Sequence, residues 1–332
     1  MVQSHTQDLT WARIAEFDKM TPQERARRRM ENYNRSPGNL DAGEYDCPKC
    51  LNRGHFMRLR EDLSNYVEDC SCRAIRRSIW SAKNAGIYDR LLRHDFPSFQ
   101  VREKWEQDMK QLAKDWAIHG QDQWLLLCGQ SGCGKTHLTL AAVGYRIFHR
   151  GQSVTFLDWR KFNTLRETRS EEFYSLLKKA EAAQILFIDD LLKLEKTRTF
   201  HPAQELELAF QILNHRVNQA AVTVISTELT PEQLLQMDEA TGSRILHMTK
   251  QFKHTVSADP RKNHRLRREP TDAPPPTPEG PIEAHRPKAP SFNRTPNHAV
   301  GADDHIGPNL RPSTRLTALS SRPNEVSGEI YA

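Results

Sequence analysis

The sequence predicts an α/β fold built on a parallel β-sheet, and two observations support this prediction. Between roughly residue 96 and residue 268, short apolar segments alternate with longer amphipathic ones. The segments typical of buried strands are WLLLC (124–128), SVTFLDW (153–159), ILFID (185–189) and AVTVIST (221–227). A glycine-rich motif also stands between the first of them and the amphipathic segment that follows. Such alternation is typical of a parallel sheet with helices on both faces.

Composition sets the class of protein. The chain has 332 residues, of which 27% are charged and 37% apolar, with a formal net charge of +6. Its apolar runs are much shorter than a membrane span, and the first twenty residues lack a signal-peptide pattern. We therefore expect a cytoplasmic protein (in the host cytoplasm if a phage encodes it) with no membrane partner. The basic excess suits a nucleic-acid partner without requiring one.

Four regions are distinguished by composition. Residues 1–44 are polar and basic and are interpreted as a helical segment that binds a partner. Residues 45–95 hold four of the six cysteines and a linker, and residues 96–268 form the α/β core. Residues 269–332 contain twelve of the nineteen prolines and few clustered apolar residues, so we expect a disordered tail.

A helix is predicted near the N-terminus. Thr21, Pro22 and Glu24 form a capping-box pattern with proline at the first helical position. Upstream of it, four apolar residues recur near helical spacing: Trp11, Ile14, Phe17 and Met20. They could dock on a partner helix or pack on the cysteine-containing region.

The glycine-rich motif is a phosphate-binding loop by its pattern and by its position between a strand and a helix. It comprises Gly129, Gln130, Ser131, Gly132, Cys133, Gly134, Lys135 and Thr136, followed by His137. Backbone N–H groups and the helix N-terminus would hold the phosphates of ATP. Lys135 would contact the β- and γ-phosphates, and the Thr136 hydroxyl would bind Mg²⁺.

Two adjacent aspartates end the segment ILFIDD. Asp189 would bind the magnesium ion, and Asp190 would orient or deprotonate the attacking water. A cation and a triphosphate make two carboxylates at a strand end favourable. Many relatives of this motif have Glu in the second position, and Asp is one methylene shorter. We therefore expect slow hydrolysis, which suits a switch better than a motor.

The cysteines form two close pairs, Cys47-x-x-Cys50 and Cys70-x-Cys72. Four thiolates in this arrangement are typical of a structural Zn²⁺ site. An iron–sulfur cluster is the metal alternative, and free thiols or disulfides are the others. Disulfides conflict with a cytoplasmic location.

The order of these motifs resembles that of the DnaC/DnaI-type replicative helicase loaders, especially their bacteriophage form, within the AAA+ ATPases. The resemblance spans residues 45–268. It is carried by CPKC with CSC, GQSGCGKTH, LFIDDLLK, FQILNHRV, VISTELT, DEATGSRI and NHRLR. The related IstB-type helpers of transposition share the ATPase core but usually lack a cysteine module, so an IstB-like helper is the alternative function.

The resemblance implies partners and further site residues. It implies a DnaB-type replicative helicase and single-stranded DNA as partners, and a homo-oligomer in the ATP state. Arg244 would be an arginine finger for the nucleotide of a neighbouring subunit, and Arg265 would contact the γ-phosphate within its own subunit. Thr227 or Glu228 would sense the γ-phosphate from the end of AVTVIST.

Basic clusters flank the core. Residues 73–93 contain six Lys or Arg against one acid, and residues 250–268 contain seven against one. They could contact the phosphates of a single strand, or they could simply keep the surface soluble. A third function is a zinc-containing, nucleic-acid-binding adaptor that does not hydrolyse ATP and has a purely structural nucleotide site. The joint presence of five residues counts against it: Lys135, Thr136, Asp189, Asp190 and Arg244.

Overall fold

The structure is a computed structural model that describes residues 19–40, 45–193 and 203–266. The described residues all belong to one compact unit, Met1–Ala289, and the second unit, Pro290–Ala332, lies outside them. Trp11, Ile14, Phe17 and the tail after residue 268 are outside the described residues, so the predictions made for them stay predictions. No helix in the described ranges is both long and apolar enough to span a bilayer.

The N-terminal part contains a helix and a small hairpin. Helix α1, Pro22–Arg35, begins with the predicted capping box, in which Thr21 and Glu24 bond to each other's backbone N–H. Strands β1, His55–Leu59, and β2, Asn65–Asp69, pair antiparallel. Helices α2, Cys72–Asn84, and α3, Tyr88–Arg93, follow. Asn34 of α1 makes two hydrogen bonds to the backbone of Met57, so α1 packs on the hairpin of the cysteine module.

The rest of the described chain alternates helices and strands. After α4, Lys104–His119, come β3, Leu125–Gly129, and α5, Lys135–Arg150. Then follow β4 (Val154–Asp158), α6 (Trp159–Thr168), α7 (Glu171–Ala182), β5 (Ile185–Asp189), α8 (Ala203–Asn218), β6 (Val222–Thr227), α9 (Pro231–Met237), α10 (Glu239–Met248) and β7 (Lys253–Val256). A 3₁₀ turn at Pro260–Lys262 comes last.

Strands β3 to β7 form one parallel sheet in the order β4-β5-β6-β3-β7. The four strands predicted from the sequence are confirmed, and β7 is an additional edge strand beside β3. Along β3 and β5, successive side chains pack alternately into two apolar clusters, one on each face of the sheet. Leu125, Leu127 and Phe187 belong to one cluster, whereas Leu126 and Ile188 belong to the other. The predicted parallel sheet with both faces covered is therefore confirmed.

The cysteine module shares a core with the sheet domain. Ile75 and Ile79 on α2 and Leu91 on α3 lie in the same apolar cluster as Leu138 and Ile147 of α5. At the far end of α5, the backbone of Gly151 passes so close to Ile75 that a Cβ on Gly151 would lie 2.7 Å from the Ile75 nitrogen. The module therefore packs directly on the helix that follows the phosphate loop.

Arg216 is a fully buried cation whose partners are backbone carbonyls. Its guanidinium donates to the carbonyls of Ala180, Ala183 and Val222 and to the Thr223 hydroxyl. Burial lowers its pKa to about 10, which leaves it charged at neutral pH. The side chain thus ties the end of α7 to α8 and the start of β6, a structural role that the sequence did not reveal.

Replacing Arg216 by Met should destabilise the protein by about 3 kcal/mol or more, because several buried carbonyls lose their donor together. Urea unfolding followed by circular dichroism measures the change. Arg160→Met, at an exposed position of α6, is the matched control and should change stability by less than about 0.5 kcal/mol. Equal stability of the two variants would show that Arg216 is not structural.

Candidate nucleotide and metal sites

The phosphate loop connects β3 to α5, as the motif predicted. Gly132 and Gly134 have φ values of +79° and +93°, a region that strongly favours glycine. Gly134 also lies against Phe99, whose ring would be 2.5 Å from a Cβ at that position. The loop therefore has a conformation that side chains at these two positions would disrupt, with its backbone leading into the N-terminus of α5.

Lys135 is the buried cation of the loop. Only 6% of its surface is exposed, and its ammonium donates to the carbonyls of Gly129 and Gln130 at 2.8 Å and 2.7 Å. These partners are neutral. Among the described residues, no carboxylate accepts a hydrogen bond from this ammonium, so its positive charge is available to anionic phosphates.

The residues after β7 lie on the phosphate loop. The Gln130 side chain accepts from the Asp259 N–H at 2.6 Å, and the Gly132 carbonyl accepts from the His264 N–H at 2.9 Å. Arg265 follows directly and has an exposed side chain. Its backbone thus lies at the loop, as a γ-phosphate contact within the same subunit would require, and that contact stays a prediction.

The two aspartates are held by the phosphate loop and by β6. Asp189 accepts from the Thr136 hydroxyl at 2.8 Å and from the Ser226 hydroxyl at 2.6 Å. The Ser226 oxygen in turn accepts from the Asp190 N–H at 3.1 Å, and its carbonyl accepts from the Leu191 N–H at 2.9 Å. Thr136 and Asp189, which are predicted to bind magnesium, are thus in direct contact. Ser226 fixes the turn that contains Asp190.

Arg90 is a site residue that the sequence analysis missed. Its guanidinium lies 3.3 Å from the second carboxylate oxygen of Asp189 and above the ring of Phe156. Arg90 belongs to α3, which connects the cysteine module to the core. Because 99 residues separate the two partners in the chain, no local pattern could have indicated the pair.

Lys193, Asp190 and Glu228 form a cluster of charged side chains just after the ends of β5 and β6. The Lys193 ammonium lies 2.9 Å from Asp190 and 2.7 Å from Glu228. Burial opposes the charge of Lys193, but these two carboxylates raise its pKa above the usual value. Burial likewise disfavours a charged Glu228, yet hydrogen bonds from Lys193 and from Ser131 hold its pKa below the usual value. Glu228 is therefore an anion at the phosphate loop.

Thr227 has a different environment. It is fully buried, and its hydroxyl donates to the Leu191 carbonyl at 2.8 Å and accepts from the Leu229 N–H. Of the two residues considered as the γ-phosphate sensor, Glu228 is the one whose pKa is lowered by a residue of the loop, Ser131. Whether either residue senses the nucleotide stays a prediction.

Two further residues of the motif have structural partners. The His137 ring donates to the Asp95 carbonyl at 2.9 Å and lies edge-on to Phe99, so it links α5 to the segment before α4. The buried Cys133 thiol donates to the Gln130 carbonyl at 3.1 Å within the loop. Both stabilise the surroundings of the loop, and their direct role in nucleotide binding stays a prediction.

Arg244 lies on α10 and faces α8. It donates to the Asn214 side chain and to the Ala240 carbonyl, and its guanidinium lies above the ring of Phe210. It is half-buried. These contacts hold the side chain against its own subunit, where an aromatic face and an amide orient the guanidinium.

The four predicted metal-binding cysteines converge in space. All four are buried, and their sulfur atoms lie within 4.8 Å of one another: Cys47, Cys50, Cys70 and Cys72. Two of the S···S distances are 3.8 Å and 3.5 Å, close to the roughly 3.8 Å edge of a tetrahedral zinc–thiolate site. The Gly54 N–H also donates to the Cys50 sulfur at 3.2 Å, as expected for a thiolate ligand.

These residues fit ATP with magnesium at the loop and zinc at the cysteines. Thr136 and Asp189 offer the oxygen ligands that Mg²⁺ prefers, and Mg²⁺ commonly keeps several waters in addition. Lys135 and the N–H groups at the start of α5 would hold phosphates. The bound metal would neutralise charge on the phosphates, and the role of Asp190 in orienting or deprotonating water stays a prediction.

Comparison with known proteins finds proteins that are similar to the core. Residues 105–249 match the model of the bacterial DnaA ATPase domain family. The resemblance inferred from the motifs is thereby confirmed for residues 105–249 of the core, which are similar to the ATPase domain of bacterial DnaA.

Among relatives, the phage-like element PBSX protein XkdC of Bacillus subtilis (strain 168) is 27% identical over 244 residues. That alignment covers 69% of this chain and 90% of XkdC. Two solved structures are also similar. The DnaC helicase loader is 16% identical, covering 51% of this chain and 99% of that one with a TM-score of 0.41. DnaI is 17% identical, covering 51% and 93% with a TM-score of 0.42.

Proposed function

We propose that the protein is an ATP-dependent DNA replication protein that binds a hexameric DnaB-type helicase and loads it onto single-stranded DNA. The proposal rests mainly on the nucleotide site, in which the phosphate loop, the two aspartates and Glu228 meet at one edge of the sheet. It is supported by the order of motifs over residues 45–268 and by the match to the bacterial DnaA ATPase domain.

ATP hydrolysis is proposed to be slow and to serve as the switch between loading states. Asp190 is shorter than the Glu common in this position, and its carboxylate is engaged by Lys193 at 2.9 Å. A base that is held by a nearby ammonium is less available to orient water. The protein would therefore remain in the ATP state long enough to hold a partner.

The cysteine module is proposed to communicate with the nucleotide site. Its helix α2 packs on α5, and α3 carries Arg90 to the predicted magnesium ligand Asp189. A partner bound on the N-terminal side could thus affect the ATPase site through one short helix. This arrangement favours a loader over the IstB-like alternative, because IstB-type helpers usually lack the module.

The test is a pull-down against the hexameric replicative helicase of the host, with ATP, with ADP and without nucleotide. We expect helicase to be retained with ATP and to be released with ADP. A duplex-DNA transposase tested in parallel addresses the alternative. Retention of the transposase and not of the helicase would replace the loader proposal by the IstB-like one.

Arg244 is predicted to act on the nucleotide of a neighbouring subunit. Arg244→Ala and Lys135→Ala proteins should each lack ATPase activity, and mixing them should restore part of it. The Lys135→Ala subunit would supply the finger, and the Arg244→Ala subunit would supply an intact nucleotide site. Steady-state phosphate release measures the effect.

The control mixes Arg244→Ala protein with a protein that carries both substitutions. This mixture should stay inactive, because no subunit offers the arginine. If the Arg244→Ala and Lys135→Ala mixture is equally inactive, Arg244 acts within its own chain or only supports the packing of α10 on α8.

A further inference from the structure

The cluster of Asp190, Lys193 and Glu228 poses an electrostatic problem for a site that binds ATP. Ser131 of the phosphate loop helps to hold the pKa of Glu228 below its usual value, Asp189 ends the neighbouring strand β5, and Asp190 follows it. Three carboxylates therefore lie at the strand ends next to a loop whose ligand would itself be strongly anionic. Arg90 pairs with Asp189, which leaves the charges of Asp190 and Glu228 to be compensated.

Lys193 compensates the charges of Asp190 and Glu228, and the turn formed by residues 190–193 fixes its position. Asp190 and Leu192 both have left-handed backbone conformations, with φ values of +57° and +53°. The Lys193 N–H donates to the Asp190 carbonyl at 3.2 Å, which closes the turn and directs the ammonium toward both carboxylates. Non-glycine residues in this region are uncommon and are often found where function requires them.

The position of the turn is set by β6. Ser226 accepts from the Asp190 N–H, and Thr227 donates to the Leu191 carbonyl at 2.8 Å. Lys193 is only 25% exposed at its side chain, so its charge is partly shielded from solvent. A cation in such a place interacts more strongly with neighbouring anions than a surface lysine does.

We propose that Lys193 is a positioning residue that allows this site to accept a nucleoside triphosphate. It neutralises Glu228 and Asp190, which would otherwise repel the additional charge that distinguishes a triphosphate from a diphosphate. Lys193 thereby sets the preference of the site for ATP over ADP. This inference rests on the proposed ATP-binding function and adds a residue to which the phosphate-loop and aspartate motifs assign no role.

The test measures the affinity of fluorescent ATP and ADP analogues, each with Mg²⁺, for the full chain. Lys193→Met keeps an unbranched side chain that is one atom shorter and removes its charge. It should weaken ATP binding about tenfold and ADP binding less than twofold. Lys193→Arg should stay within about threefold of the wild type for both nucleotides, because the charge is retained.

The double variant Lys193→Met/Glu228→Gln separates electrostatics from packing. Removing the acid as well should return ATP affinity to within about threefold of the wild type. Lys178→Ala, at an exposed position of α7, is the control and should leave both affinities unchanged. Thermal melting shows whether each variant is folded.

Equal weakening for ATP and ADP, or no recovery in the double variant, would overturn the proposal and leave Lys193 as a residue that only stabilises the turn. Unchanged affinities in Lys193→Met would overturn it as well. If the wild-type protein binds neither analogue, the proposed ATP-dependent function itself fails, and this inference fails with it.

Discussion

Lys135→Ala should reduce the affinity for ATP with Mg²⁺ at least a hundredfold. The ammonium is almost fully buried, and its hydrogen bonds go to two carbonyls of the loop rather than to a carboxylate. Removing a buried cation from an anion site typically costs about 2–5 kcal/mol, and a hundredfold change corresponds to about 2.7 kcal/mol. Titration with a fluorescent ATP analogue measures the loss.

The same lysine also bridges the backbone of the loop, so its removal could disturb the fold locally. Lys135→Arg therefore accompanies the Ala variant: it retains a charge and donors but cannot occupy the same space. Circular dichroism should show both variants folded, and Lys178→Ala should bind as the wild type does. Undiminished ATP binding by folded Lys135→Ala would contradict the assignment of the phosphate site.

The second large effect is expected at the cysteine cluster. We predict one zinc ion per chain, and we expect that its loss unfolds the region of residues 45–75. Strand β2 is exposed along its whole length, and a two-stranded hairpin with so little core is marginally stable in water. A structural zinc ion contributes roughly 10 kcal/mol or more to such a module. Elemental analysis and hydrogen exchange of β1 and β2 measure the two effects.

Cys47→Ser should abolish stoichiometric zinc and remove the exchange protection of β1 and β2. It should still bind ATP, because the phosphate loop and the sheet lie outside the cluster. Cys128→Ala, which alters a buried cysteine of β3, is the control and should keep its zinc. Iron with a visible absorbance band, or full protection without any metal, would contradict the zinc assignment.

Sequence patterns predicted those structural elements that are determined by residues close together in the chain. The capping box of α1, the four apolar strands and the loop before α5 all depend on neighbouring residues, and the structure has them. Strand β7 was missed because Lys253–Val256 is short and half polar. It forms only because it pairs with β3, and such pairing is decided by tertiary contacts rather than by propensity.

In the candidate site, too, the residues with a local sequence signal were predicted, and those placed by tertiary contacts were not. The spacing of the phosphate-loop motif indicated Thr136, and the position at the end of a strand indicated Asp189. In the structure the Thr136 hydroxyl donates to the Asp189 carboxylate at 2.8 Å. Arg90 and Ser226 were not indicated, because each reaches Asp189 from an element distant in the chain. Lys193 lies only three residues from Asp190, but its second partner, Glu228, directly follows β6, which is distant in the chain. The neighbouring sequence does not distinguish a lysine that pairs with distant carboxylates from one that is exposed to solvent in a polar turn.

Helicase loading onto a single strand coated with single-strand-binding protein is the decisive test of the proposed function. The purified protein, the host helicase and ATP are combined, and the unwinding of a downstream duplex is followed by fluorescence. We expect that unwinding requires the protein, and that Lys135→Ala protein does not support it. Equal unwinding with wild-type protein, with Lys135→Ala protein and with no added protein would contradict the claim that this ATPase is a helicase loader.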